Sequence, residues 1–206
     1  MLKDKNNLII FTGPSGVGKG TIVKKVFQDL PNVEFSVSCT TREKRPGEIE
    51  GKNYFYKTRE EFEALIKEDK LLEHAEFVGN YYGTPRDFVD KQLNLGKDVF
   101  LEIEVQGALQ VMEKFPEALS IFLVPPRFED LEARLRKRGT EAEEILQKRL
   151  AKAREEMKYL DRFQYVVIND NADEAAETIR ALILQARVNL DFDFSRLTME
   201  MLANKI

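Results

Sequence analysis

Near the N-terminus stands the run Gly13-Pro14-Ser15-Gly16-Val17-Gly18-Lys19-Gly20-Thr21. Gly13, Gly18 and Lys19 have the spacing of G-x-x-x-x-G-K. Glycines there let successive backbone N–H groups converge on a phosphate with no Cβ in the way. Lys19 adds a point charge for the β- and γ-oxygens of a nucleoside triphosphate. The pattern departs at Gly20, where a Ser or Thr hydroxyl would ordinarily reach Mg²⁺, and Thr21 is one residue too late. Magnesium is then expected to be held by phosphate oxygens, water and more distant carboxylates. The loop specifies a triphosphate donor and leaves the acceptor open.

Three further groups could do chemistry. The block Thr40-Thr41-Arg42-Glu43-Lys44-Arg45-Pro46-Gly47-Glu48 places two arginines three apart in a turn. Guanidinium forks bind phosphate bidentately, although basic turns are also ordinary solvated surface, and the residues alone leave both readings open. Glu102 and Glu104 fall at i, i+2 on an apolar strand pattern, which puts both carboxylates on one face. Arg134 and Arg138 lie four apart on one predicted helix and Arg149 on the next. A solvated helix face laced with Glu–Arg pairs is the competing reading of that stretch.

Composition bounds what these groups can be. The chain has 206 residues, 43% of them apolar, and a formal charge of -4. A length of this order buries a core without disulfide or metal staples. The acidic balance argues against a nucleic-acid binder, which usually carries a basic field. One cysteine, Cys39, excludes an intrachain disulfide, and one histidine, His74, excludes multi-His zinc sites. No apolar run approaches the ~20 residues of a membrane span. A soluble, cytoplasmic protein is expected.

The elements that must position these groups follow from periodicity. Leu8 to Thr12 reads as a buried strand, and Thr21 to Leu30 as a helix stopped by Pro31. Phe35 to Cys39 reads as a second strand and Tyr54 to Tyr56 as a strand-like aromatic piece. Thr58 with Glu61 forms a capping box for a helix Glu60 to Glu68. Gly79 to Thr84 reads as turn-rich, followed by a helix from Asp87 to Leu95. Asp98 to Val105 alternates as a strand, and Ile121 to Val124 is a continuous apolar strand. Helices are expected from Phe128 to Arg138, stopped by Gly139, and from about Thr140 to Leu160. A strand Tyr165 to Ile168 and a helix Glu174 to Val188 close the pattern. Strands alternating with helices imply an α/β fold with a mainly parallel sheet flanked by helices, of the P-loop type.

Five ordered blocks resemble the guanylate kinases: Thr40 to Glu48, Gly79 to Thr84, Leu101 to Gly107, Arg134 to Gly139 and Val167 to Asp170. The likeness covers roughly Leu8 to Ala186. The Gly20-Thr21 variant of the loop also resembles that of other nucleoside-monophosphate kinases. The resemblance implies a core of 6–35, 97–125 and 160–188, a small α+β GMP-binding insertion at 36–86, and an Arg-rich helical lid at 126–159. Residues 189–206 form a tail with no assigned role. It implies phosphoryl transfer from ATP to GMP with Mg²⁺, in purine nucleotide metabolism, and leaves the oligomeric state open.

The same resemblance implies roles for residues. Gly13 through Thr21, with Arg134 and Asn169, would bind ATP. Ser38, Arg42, Arg45, Tyr54, Glu73, Tyr82, Thr84 and Glu104 would bind GMP, the arginines and tyrosines at its phosphate and the others at the base. Glu102 would lie near the metal, reached through water. Lys19, Arg42, Arg138 and Arg149 would be catalytic, and Gly51 and Gly139 would serve as hinges. Many family members carry Asp at positions 102 and 104, so the longer Glu here leaves the division of labour between them open. Another nucleoside-monophosphate kinase and a non-catalytic binding module of the same fold are the rival expectations.

Overall fold

The computed structural model describes residues 7–28, 30–77, 79–137 and 143–187. The expectations for Arg138, for the Gly139 hinge and for the tail 189–206 fall outside the described residues.

Five strands make one parallel sheet in the order β2-β7-β1-β8-β9. They are β1 Leu8–Thr12, β2 Val33–Phe35, β7 Asp98–Glu102, β8 Leu119–Val124 and β9 Tyr165–Ile168. Every pairing within it is parallel. Successive side chains alternate between faces, and both faces are covered, so the inner strands are apolar throughout. On one face Ile9, Phe11, Phe100, Ile121 and Leu123 meet helices α1 Lys19–Val26 and α7 Ala172–Arg187. On the other, Leu8, Ile10, Val99, Leu101 and Phe122 meet α3 Arg86–Asn94 and α4 Val105–Lys114. Phe11, Phe27, Phe35 and Phe100 form a run of ring contacts between 5.4 and 6.5 Å under α1.

A second sheet, β4-β3-β6-β5, holds β3 Cys39–Thr40, β4 Phe55–Tyr56, β5 Leu71–Phe77 and β6 Asn80–Pro85. Helix α2 Arg59–Lys67 covers it with Phe62, which packs with Cys39 and Leu71. The expected capping box is present: Thr58 accepts from Glu61 N–H, and Glu61 accepts from Thr58 N–H. The outer edge of β5 is met by side chains of α4 rather than by another strand. Gln110 Nε2 donates to His74 O at 2.7 Å and Lys114 Nζ to Leu72 O at 2.7 Å. These bonds fix the second sheet against the first and occupy groups that an open edge would leave unpaired.

Several expectations need correction. The run Phe35 to Cys39 is not one strand. Its ends belong to different sheets, and the chain leaves the parallel sheet after Phe35. Gly79 to Thr84 is not merely turn: Asn80–Pro85 is a strand of the β5–β6 hairpin, and Leu71–Phe77 was not foreseen as its partner. The strand at Asp98 ends at Glu102, not Val105, and α4 follows at once. Glu104 is the N-cap of α4, with an extended backbone (φ -69°, ψ 154°), not a strand residue beside Glu102. Helix α1 begins at Lys19, before Thr21, because Gly18 at φ 104° is its N-cap and Gly20 is already helical. Helix α6, Glu143–Met157, ends before Leu160. Helix α5, Phe128–Lys137, has the place expected of it.

Asp98, 3% exposed, anchors the N-terminal end of the parallel sheet. It accepts from Asn7 N–H at 2.7 Å and from Arg187 Nε at 2.7 Å, while Arg187 also donates to Pro31 O. One carboxylate thus ties β1, β7 and the end of α7. Asp98→Ala leaves a largely buried guanidinium without its partner and is expected to cost about 3 kcal/mol in urea unfolding. A loss below ~1 kcal/mol would mean the ion pair contributes little to holding α7.

Candidate active site

The glycine loop leaves the C-terminal end of β1, the place where parallel sheets offer ligands to backbone amides. Gly13 cannot be replaced without movement: a Cβ there would lie 2.4 Å from Leu123 O. Gly16 and Gly18 have φ of 90° and 104°, conformations that L side chains rarely adopt. The loop is fastened from outside. Asn169 Nδ2 donates to Val17 O at 2.7 Å, and Arg134 donates to Val17 O and Asn169 O at 3.1 and 2.9 Å. Arg149, on α6, donates from Nε and from its terminal amine to Ser15 Oγ, at 3.1 and 2.8 Å. Lys19 Nζ donates to Gly13 O at 2.5 Å, across the mouth of the loop. An open cleft of about 360 Å³ beside it is lined by Gly16, Gly18, Thr21, Arg134, Asn169, Asp170 and Ala172.

The second half of the site lies between the two sheets. Glu73, in the middle of β5, is 3% exposed. Its Oε1 accepts from Thr84 Oγ1 at 2.7 Å, across the β5–β6 register. Its Oε2 rests on the bare backbone of Gly107 in α4, where a Cβ would be 2.0 Å away. Burial is the main reason its carboxyl is pushed up to about 7, and Glu104 adds to the rise. Glu102 is also held above the usual carboxylate range, first by burial, with Lys19 opposing and Glu104 reinforcing. Tyr54 is pushed up to about 12 by burial and by the neighbouring Tyr82, Glu102 and Glu104. The structure therefore brings Glu73, Thr84, Glu102, Glu104, Tyr54, Tyr82 and Lys19 around one space. Ser38 stands next to β3, half-buried, with its carbonyl accepting from Phe55 N–H.

Arg42 is the centre of a third cluster. Its terminal amine donates to both Glu48 oxygens at 2.8 and 3.0 Å, and its cation lies 5.3 Å from the Tyr54 ring. Glu48 also accepts from Tyr56 OH at 2.7 Å and from Arg45 N–H at 2.8 Å. The Arg42 hydrogen bond, above all, draws the Glu48 carboxyl down to about 2. The Arg45 side chain is exposed. Sequence reasoning gave no role to Glu48, although it closes the Thr40 to Glu48 block. It also missed Gly107, Lys152 and Glu156. The signal for the last two was available, since Arg149, Lys152 and Glu156 recur at i, i+3, i+7, one stripe of a helix.

The implied magnesium ion fits these residues only as an ion carried on phosphates. Position 20 has no side-chain oxygen, and among the described residues no group of three or more His, Cys, Asp or Glu could hold a metal. Glu102, half-buried beside Lys19, is a carboxylate that would reach such an ion through water. Mg²⁺ keeps several waters and binds with few protein carboxylates beside substrate phosphates, which this donor set allows.

Comparisons with known proteins point to one family. A family model described as guanylate kinase matches residues 5–186. The guanylate kinase of Oceanobacillus iheyensis is 53% identical over 183 residues, 89% of this chain and 89% of that protein. The guanylate kinase of Lactococcus lactis subsp. lactis is 50% identical over 190 residues, 92% of this chain and 93% of that protein. The crystal structure of guanylate kinase from Anaplasma phagocytophilum has a TM-score of 0.78 at 34% identity, covering 92% of this chain and 90% of that one.

Glu73 carries a pH signature. Its folded value of about 7 lies above the ordinary ~4.3 of an unfolded Glu, so the folded state favours the proton. The stability it contributes is present below about pH 4 and is lost as pH rises to about 7. Glu73→Gln keeps an acceptor for Thr84 and removes the charge. It is expected to be more stable than the parent by about 4 kcal/mol at pH 8, with the gap closing towards pH 4. Parallel stability–pH curves for the two proteins would contradict this.

Proposed function

The chain belongs to the guanylate kinase family and is an ATP:GMP phosphotransferase, and on that premise we propose how its own residues divide the work. The loop Gly13 to Gly20 takes the ATP phosphates on its backbone amides and on the N-terminal end of α1, with Lys19 across the β- and γ-oxygens. The adenosine lies in the cleft between Asn169, Arg134 and Asp170. The GMP phosphate is taken by Arg42, Arg45, Tyr54 and Tyr82, with Glu48 holding the Arg42 fork in a fixed direction. Ser38, Thr84, Glu73 and Glu104 take the base.

The observation that carries this reading is Glu73, a buried carboxylate oriented by Thr84 and pressed on Gly107. Guanine presents N1–H and N2–H₂ as adjacent donors, which an ionised carboxylate accepts. Adenine has an acceptor at N1, so the same carboxylate would face a lone pair. Sites built this way reject a wrong partner by ~10⁴-fold or more. The incoming donors also favour the ionised form of Glu73, offsetting the burial that pushes it up.

No strong base is needed. The GMP phosphate is itself the nucleophile near neutral pH, so catalysis is positioning and neutralisation of charge. Lys19 and Arg149 face the transferring group, and Arg138 is assigned to the same task. Glu102 would hold Mg²⁺ through water beside the phosphates, where the ion would supply further neutralisation of the oxygens. Segment 36–86 serves as the GMP-binding part and segment 126–159 as a lid that excludes water on closing. Among the described residues no helix is long and apolar enough to cross a membrane. The setting implied is the cytoplasm, in purine nucleotide metabolism and the recycling of GMP.

Two variants test the assignment. Lys19→Ala is expected to lose at least ~10³-fold in kcat with its circular dichroism unchanged, because a γ-phosphoryl contact made in the transition state is gone. A kcat near that of the parent would remove Lys19 from the mechanism. Glu73→Gln is expected to lower kcat/KM for GMP by at least ~100-fold while KM for ATP moves less than about threefold. Equal losses for both substrates would make Glu73 a structural residue.

A further inference from the structure

Helix α6 sends three side chains from one face into the site. Arg149 grips Ser15 Oγ, as described. Glu156, two turns on and 5% exposed, accepts from Ser15 N–H at 3.3 Å. Between them Lys152 places its ammonium 3.4 Å from Glu104 Oε2 and 3.7 Å from Glu156 Oε1. One lysine on a helix attached to the donor loop thus reaches the carboxylate assigned to the acceptor base.

The charge arrangement makes this contact consequential. Glu104 repels three acids around it: it adds to the upward shift of Glu73, of Glu102 and of Glu156. The cations facing these acids are Lys19, from α1, and Lys152, from α6; Lys114 of α4 faces Glu73. Burial pushes Glu156 up to about 7, and Lys19 and Lys152 both oppose that rise. Lys19 is assigned to the phosphates, and among the described residues Lys152 is the cation seen between Glu104 and Glu156, at 3.4 and 3.7 Å.

We propose that Lys152 is a positioning residue that couples the two substrate sites, tying Glu104 on the acceptor side to Glu156 and the Ser15 amide on the donor side. The proposal rests on the assignment of Glu104 to the guanine base. Triphosphate binding orders the loop around Ser15, which fixes Glu156 and α6. That places Lys152, and Lys152 holds Glu104 directed at the incoming base. Coupling of this kind is reciprocal, so GMP tightens the donor site by the same factor. A residue that only supported the fold would alter both affinities without altering their dependence on each other.

The test is a binding cycle by calorimetry. The Kd for GMP is measured with and without saturating Mg²⁺ and a non-hydrolysable ATP analogue, in the parent, Lys152→Met and Lys152→Arg. The parent is expected to bind GMP at least about fivefold more tightly with the analogue present. Lys152→Met should bring that ratio to within about twofold of one, and Lys152→Arg, which keeps the cation, should keep more than half of it on a logarithmic scale. A parent ratio within twofold of one, a methionine variant that keeps a ratio above twofold, or an arginine variant no better than methionine would each overturn the proposal. If Lys152→Met does not fold, as judged by circular dichroism, Lys152→Gln takes its place under the same limits. Glu104→Gln serves as the control on the underlying assignment. If it leaves the Kd for GMP unchanged, the assignment of Glu104 to the base has failed; if it weakens GMP while Lys152→Met retains the coupling, only the proposal has failed.

Discussion

Four carboxylates, Glu73, Glu102, Glu104 and Glu156, converge near the C-terminal end of one parallel sheet, faced by the ammonium groups of Lys19 and Lys152. The rest of the structure depends on keeping that much like charge together in partly buried space. Burial first, with Glu104 adding to it, drives Glu73 and Glu156 to about 7. What holds the arrangement is a set of specific partners: Thr84 on Glu73, the Ser15 amide on Glu156, and Lys152 between Glu104 and Glu156. A cluster of this kind is an unfavourable feature in an empty core and a useful one beside a base rich in donors and a triphosphate rich in negative charge. In the assignment proposed above, the acids confer selectivity for the base, and the cations limit the repulsion among them and neutralise the phosphates.

The fold supplies the rigid frame for this balance. Strands β1 and β7 end side by side, so the glycine loop after β1 and Glu102 at the end of β7 fall next to each other. The second sheet is then held by α4, whose Gln110 and Lys114 bond the edge of β5. The absence of a side chain at Gly107 lets Glu73 approach α4 closely. Helix α6 completes the arrangement from the donor side through Arg149 and Glu156. Arg42 follows a similar logic at the other end of the acceptor site. A paired Glu48, ionised down to about pH 2, fixes the fork so that a phosphate meets a directed cation rather than a mobile one.

Much of this was legible in the chain itself. The apolar runs at Leu8 and Ile121 gave buried strands because both faces of the sheet are covered. Thr58 and Glu61 announced their helix because a capping box is a local device. The glycine loop was readable because phosphate chemistry constrains each position separately. What escaped was set by long-range contact. Leu71 to Phe77 carries Glu73, His74 and Glu76 within an apolar strand, and only the pairing with β6 and the docking of α4 explain why it is extended. Glu104 looked like a strand residue because extended N-cap geometry and strand geometry share the same alternation. Lys152 and Glu156 went unassigned because their partners, Glu104 and Ser15, are 48 and 141 residues away.

The central claim is that buried carboxylates select the donor edge of guanine. Initial rates with ATP and Mg²⁺, measured with GMP, IMP and AMP as acceptors, test it most directly. IMP keeps the N1–H donor and lacks the 2-amino group, while AMP presents an acceptor at N1. The account predicts kcat/KM falling in the order GMP, IMP, AMP, with AMP at least ~10⁴-fold below GMP. Equal use of IMP and GMP, or of AMP and GMP, would contradict it.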